Sequence, residues 1–154
     1  MLFAAVMSHY IQDAHQPLHA SVNYDGQMTG NNGIHARFET ALFERFQSRL
    51  TIRPAPPTPI LNPRDAAFDA LLASYQLVDP ILEGGRRAAK RARTRTTTSN
   101  FERLFTTVRP ILEQRLGEAI TATAGLIMGA WEQAGRPGAE ARRGPAPAAE
   151  DQTR

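Results

Sequence analysis

The sequence predicts an all-α fold, a multi-helix bundle, on three observations. Apolar residues recur at three- and four-residue spacing over several long stretches, as one buried helix face requires. No segment alternates polar and apolar residues over a useful strand length, and no internal repeat is visible. The periodic stretches are separated by clusters of Pro, Gly and Asn, which punctuate helices. With 154 residues, 42% of them hydrophobic, the chain supports one modest core and is too small for two ordinary domains.

Residues 2–14 carry helical spacing, with Phe3, Val6 and Tyr10 expected on the buried stripe. Gln16-Pro17 stops this helix, because a residue before proline is pushed out of the helical region. Residues 20–33, with Asn23, Asp25, Gly26, Gly30 and Gly33, are expected to form a turn-rich loop. A second helix is expected from Ile34 to about Leu50, burying Ile34, Phe38, Leu42, Phe43 and Phe46.

Pro54, Pro56, Pro57, Pro59 and Pro63 then enforce an extended linker, after which Asn62 caps and Pro63 opens a third helix. Its inner face is expected to carry Phe68, Leu71, Leu72, Tyr75, Val78 and Leu82, and Gly84-Gly85 to break it. Arg86 to Arg95 is a basic stretch without interleaved aromatics, read as a solvated loop or frayed helix end rather than a nucleic-acid patch. A final helical region over 100–134 carries Phe101, Leu104, Phe105, Val108, Leu112, Leu116, Ile120, Ile127 and Trp131, with Pro110 expected to kink or split it. Residues 1–134 form the helical domain. The tail over 135–154 has no large apolar side chain to bury and is expected to be disordered.

There is no cysteine, which excludes disulfides and thiolate metal sites. Net charge is +3, but of the 18 basic residues all except Lys90 are arginine, so charge says little about partners. No run approaches the ~20 apolar residues of a membrane span, and Met1 to Met7 lacks the flanks of a signal peptide. The chain begins directly inside a helix with no cap before Leu2, which points to a missing N-terminal portion. A signal peptide there would make the protein secreted or periplasmic; the residues present do not specify a location.

All 4 histidines lie between positions 9 and 35. His9 and Asp13 are four apart on one helix, so both project from the same face and can close on one metal ion. His35 and Glu39 repeat the arrangement on the second helix. His19, just past a helix end set by Pro17, is placed to complete a site with them. Three nitrogen and oxygen ligands leave a coordination position open, as a catalytic zinc site requires. A hydrogen-bonded polar cluster is the bland alternative. His15 lies off the ligand face and is read as an outer partner or a structural residue. Arg37, between both ligands of its helix, is a candidate phosphate contact or else a solvated or ion-paired arginine.

The run His9-Tyr10-Ile11-Gln12-Asp13-Ala14-His15-Gln16-Pro17-Leu18-His19, with Gly33-Ile34-His35-Ala36-Arg37-Phe38-Glu39, resembles the superfamily of zinc-dependent phospholipase C and single-strand-specific zinc nucleases. The resemblance is strong over about 2–46 and weaker over the final helix. It implies an all-helical fold holding up to three zinc ions that hydrolyse phosphoric esters. By position it implies His9 and Asp13 as ligands of a zinc pair, with Asp13 bridging and assigned to catalysis, and His19, His35 and Glu39 as ligands of a third zinc. The short loop before His35 and the glutamate at 39 are similar to the phospholipase branch; His15-Gln16-Pro17-Leu18-His19 is similar to the nucleases.

The family's remaining ligands come from an N-terminal half, so the family fold is incomplete here, with one complete zinc site and half of another. The expected protein is a monomeric zinc-dependent phosphodiester hydrolase acting on a phospholipid head group or single-stranded nucleic acid. As a fragment it should have low activity alone. The alternative is an inert zinc-binding helical remnant.

Overall fold

The computed structural model describes residues 2–90 and 97–138, with the side chains of residues 2 and 3 left out. The described residues contain helices and loops and no strand. α1 (Leu2–Ala14) ends in the 3-10 turn Pro17–Ala20. α2 (Ile34–Ala36) continues through a π-helical turn, Arg37–Ala41, into α3 (Leu42–Phe46). α4 (Pro63–Tyr75), α5 (Val78–Lys90) and the long α6 (Thr98–Gln133) complete the bundle. None of the described helices is long and apolar enough to cross a membrane.

Two apolar clusters hold these helices. The larger joins Leu18, Ile34, Phe38 and Leu42 to Ile81 and Leu82 of α5 and to Leu104, Phe105 and Val108 of α6. Phe46 stacks on Phe105 with centroids 4.3 Å apart. The smaller packs Ile11 and Ala14 of α1 against Ala70 of α4 and Leu126 of α6. A polar clamp closes the junction between them. The buried Arg115 donates to the His15 carbonyl (3.0 Å), the Ala70 carbonyl (3.1 Å) and Ser74 Oγ (2.8 Å), and pairs with Glu118. Ser74 Oγ in turn donates to the Ala14 carbonyl at 2.6 Å. One arginine therefore ties α6 to the ends of α1 and α4.

Several expectations are met. Asn62 accepts from the Asp65 N–H and Pro63 opens α4. The segment between Thr51 and Leu61 is free of helix and lies along α6, where the Ile60 N–H donates to the Gly125 carbonyl.

Others are corrected. On α1, Tyr10 (69% exposed) and Val6 (45%) face outward, and Ile11 and Ala14 are the buried residues, because α1 is wedged between α4 and α6 and small side chains fit there. α4 likewise buries Ala70 and Ser74 and exposes Phe68, Leu72 and Tyr75. Phe43, Ile120, Ile127 and Trp131 are also exposed. The break expected at Gly84-Gly85 lies instead at Gln76-Leu77, and α5 runs through both glycines. They are needed for close approach: a Cβ on Gly85 would lie 2.5 Å from Asn31 Nδ2 and 2.8 Å from Ile34 Cδ1. Pro110 does not split α6, which is one helix of 36 residues. Of the basic stretch, residues 86–90 belong to α5. Residues 91–96, like the tail residues 139–154, lie outside the described residues.

Candidate metal centre

The end of α1, the turn after it and the start of the α2 rod bring the histidines together. Pro17 opens the 3-10 turn, and the Gln16 side chain accepts from the Leu18 N–H at 2.7 Å, which presents His19 toward α2. On the facing rod His35 precedes the π turn and Glu39 lies on it; the turn is closed by the Leu42 N–H donating to the Arg37 carbonyl. π turns are rare and concentrate at functional sites.

His19 Nε2 and His35 Nε2 are 3.3 Å apart. Glu39 Oε2 is 2.7 Å from His35 Nε2 and 3.6 Å from His19 Nε2. These three donor atoms form the group of His, Asp and Glu ligand atoms that lies within 4.8 Å of one another among the described residues. The donor chemistry fits zinc, for which bonds of about 2.0–2.1 Å in tetrahedral array place ligand atoms roughly 3.3 Å apart. Nε2 is the nitrogen His35 presents to the group, and its Nδ1 is buried without a hydrogen-bond partner among the described residues. Gln16 Nε2 donates to Glu39 Oε2 at 3.0 Å and lies 3.3 Å from His35 Nε2. Burial raises the pKa of the Glu39 carboxyl, but the Gln16 hydrogen bond and the neighbouring His35 and His19 outweigh it and hold the group below its ordinary value.

His9 and Asp13 stand beside this trio. Asp13 Oδ2 is 3.2 Å from His9 Nε2, and Asp13 Oδ1 is 3.6 Å from His19 Nδ1. The carboxylate thus backs the ring whose other nitrogen joins the trio, an arrangement common behind metal-bound histidines. His9, with a side chain 70% exposed, has no third donor in a comparable cluster among the described residues.

His15 is buried and away from the trio's donor atoms. Its Nδ1 donates to the Ile11 carbonyl at 2.7 Å, and its carbonyl receives Arg115. Desolvation lowers its pKa, with Arg115 adding to the effect and the Ile11 hydrogen bond opposing it; the ring is tied to α1, and it is the backbone carbonyl that takes part in the clamp.

Arg37 is not presented to a phosphate. It is buried, with Nε donating to the Gly33 carbonyl (3.0 Å) and Nη2 to Asn31 O and Oδ1 (3.1 Å each). It lies two residues from His35 and two from Glu39, about half a turn from each, so it points away from them, and its fork is engaged with Gly33 and Asn31 of the loop instead.

Sequence reading did not single out Gln16 as a contact of the candidate ligands, and it did not place Asp25 at their backbone, where its carboxylate accepts from the Gly33 N–H (2.9 Å) and the His35 N–H (3.2 Å). Gln16 was legible as a helix stop and Asp25 as a turn residue, but their partners are set by how the loop folds back.

An open groove of about 690 Å³ adjoins the cluster, lined by Asp13, Gln16 and Glu39 and by Leu116, Ile120 and Ile127 of α6. Its size and mixed lining suit a small-molecule ligand. No protein-family model, no curated protein and no solved structure matches the chain.

Proposed function

We propose that this chain is the metal-binding part of a zinc-dependent hydrolase of phosphoric esters, of the kind that the phospholipase C and zinc nuclease superfamily represents. The observation that carries the reading is the convergence of His19 Nε2, His35 Nε2 and Glu39 Oε2 from two separate segments. Three such donors would hold one zinc ion and leave a position for a substrate oxygen, where the ion supplies Lewis-acid polarisation. Around it the chain's own residues do the positioning. Asp13 faces His19 Nδ1 at 3.6 Å and adds negative charge behind that ring, Gln16 holds the Glu39 carboxylate, and the groove beside Asp13 and Glu39 offers space for the body of an ester. The substrate class is a phosphodiester, with a phospholipid head group and single-stranded nucleic acid as the two alternatives.

A second reading, an inert zinc-binding helical domain, is favoured by one observation: among the described residues His9 and Asp13 are a pair of donors without a third. The two readings share the zinc centre and part on turnover. Metal analysis after dialysis is expected to find one zinc per chain in both, lost in His19→Ala, His35→Ala or Glu39→Ala. Retention of zinc by all three variants would overturn the centre. Chelator-sensitive hydrolysis of a nitrophenyl phosphodiester, abolished in the same variants, separates enzyme from inert domain.

A further inference from the structure

We propose that Asp25 is a positioning residue for the metal centre, holding His35 in place through the backbone at the start of its helix. The proposal rests on the reading of His19, His35 and Glu39 as metal ligands. The helical rod over 34–46 begins at Gly33, which has φ +80 and supplies no side-chain cap. The first N–H groups of a helix have no partner within it. Here the missing acceptor comes from the preceding loop: Asp25 Oδ2 accepts from the Gly33 N–H and Oδ1 from the His35 N–H, so both oxygens are used. The negative carboxylate also suits the positive end of the rod.

Asp25 can act as a fixed anchor because its own position is set independently of the metal ligands. Gly26, next to it, has φ +72 and lies so close to Asn31 that a Cβ there would meet Asn31 Cβ at 2.6 Å. The Asn31 N–H donates to the Gly26 carbonyl at 2.8 Å, and Asn31 Nδ2 donates to the Leu82 carbonyl of α5 at 3.0 Å. Arg37 closes the same loop from the rod side, and Tyr24 sets its ring edge-on to His35 at 5.8 Å. The path therefore runs from α5 through Asn31 and Gly26 to Asp25, and from its carboxylate to the His35 backbone. Within it, Asp25 bonds directly to the residue whose Nε2 must meet His19 Nε2 and Glu39 Oε2. Asparagine in its place has the same shape but one acceptor, and its amide NH₂ would face an N–H.

The test uses the full chain with Zn²⁺, measured by competition against a chromophoric chelator, and with Co²⁺, read by visible absorption. Asp25→Asn is expected to lower zinc affinity about tenfold or more and to change the Co²⁺ absorption envelope, while metal-free helicity is kept. In a His35→Gln background, where the remaining weak binding is read by direct titration with Zn²⁺ in excess, the same change should alter affinity by less than about twofold, because Asp25 acts through His35. Asp25→Ser, which keeps one short acceptor, carries the same expectations if Asp25→Asn does not fold. Zinc affinity and Co²⁺ spectra like those of the unsubstituted chain would overturn the proposal, as would an equal loss in both backgrounds, which would mark general destabilisation. If the unsubstituted chain binds neither ion, the metal-centre reading falls and this role with it. Binding that is indifferent to Asp25 overturns this role alone.

Discussion

Asp13 touches two imidazoles, His9 through Oδ2 and His19 through Oδ1, and the second contact decides its effect on a metal held by His19 Nε2. A carboxylate behind a ligand imidazole fixes its ring and raises its basicity, and loss of such a partner typically weakens metal affinity by about 10–100-fold. Asp13→Asn should therefore weaken zinc binding by about tenfold, whereas Glu39→Gln, which replaces a charged oxygen donor in the group by a neutral amide, should cost more; competition titration of both variants gives the order. Ser74 shows the same logic in the core. Its hydroxyl links Arg115 to the Ala14 carbonyl, so Ser74→Ala leaves a buried donor and acceptor short of a partner and should cost about 1–3 kcal/mol in denaturant unfolding. Among the candidate ligands, His35 and Glu39 were legible because their pairing is local: residues four apart on a helix face one way wherever the helix lies. The roles of Ser74, Arg115 and Asp25 were not, since, Glu118 apart, the partners of their side chains lie 8 to 100 positions away along the chain.

At the scale of elements, periodicity located the helices but chose the wrong stripe on two of them. α1 and α4 each carry large apolar residues on one side and Ala or Ser on another. The side that packs is the one that lets helix axes come close, so Ala14, Ala70 and Ser74 are inside and Tyr10, Phe68 and Tyr75 outside. Nor does glycine pairing break α5, because the neighbouring loop and α6 need the space. Gly85→Ala should consequently destabilise the fold by about 1–3 kcal/mol through overpacking against Asn31 and Ile34, more than the small gain in helix propensity, as thermal unfolding would show. Zinc would join the turn after α1 to the α2 rod across the loop of residues 20–33. Saturation at 100 times Kd stabilises by about 2.7 kcal/mol, so chelation should lower Tm by several degrees. An unchanged Tm on chelation would mean that zinc does not couple these elements.

For the whole molecule, the all-helical architecture follows from the sequence pattern, while the placement of the groove beside the trio follows from α1 lying against α6. That groove keeps Ile120 and Ile127 about half exposed, next to the side chains of Asp13 and Glu39. The described residues thus supply one three-donor set, a two-donor pair and an adjoining apolar wall. Hydrolysis by a paired-metal route needs two ions held a few ångströms apart, each with enough ligands to be retained. His9 and Asp13 are too few to retain a second ion alone, and His9 is largely solvated. The 154-residue chain should accordingly bind one zinc tightly and turn over a nitrophenyl phosphodiester only marginally above the uncatalysed rate. The measurement is initial rate against added Zn²⁺, with and without chelator, for the chain and for His9→Ala. Marginal turnover that His9→Ala leaves unchanged would place what activity there is on the trio. Robust chelator-sensitive turnover by the chain would show that the two-donor pair is completed within it, and its loss in His9→Ala would identify that pair as part of the working site.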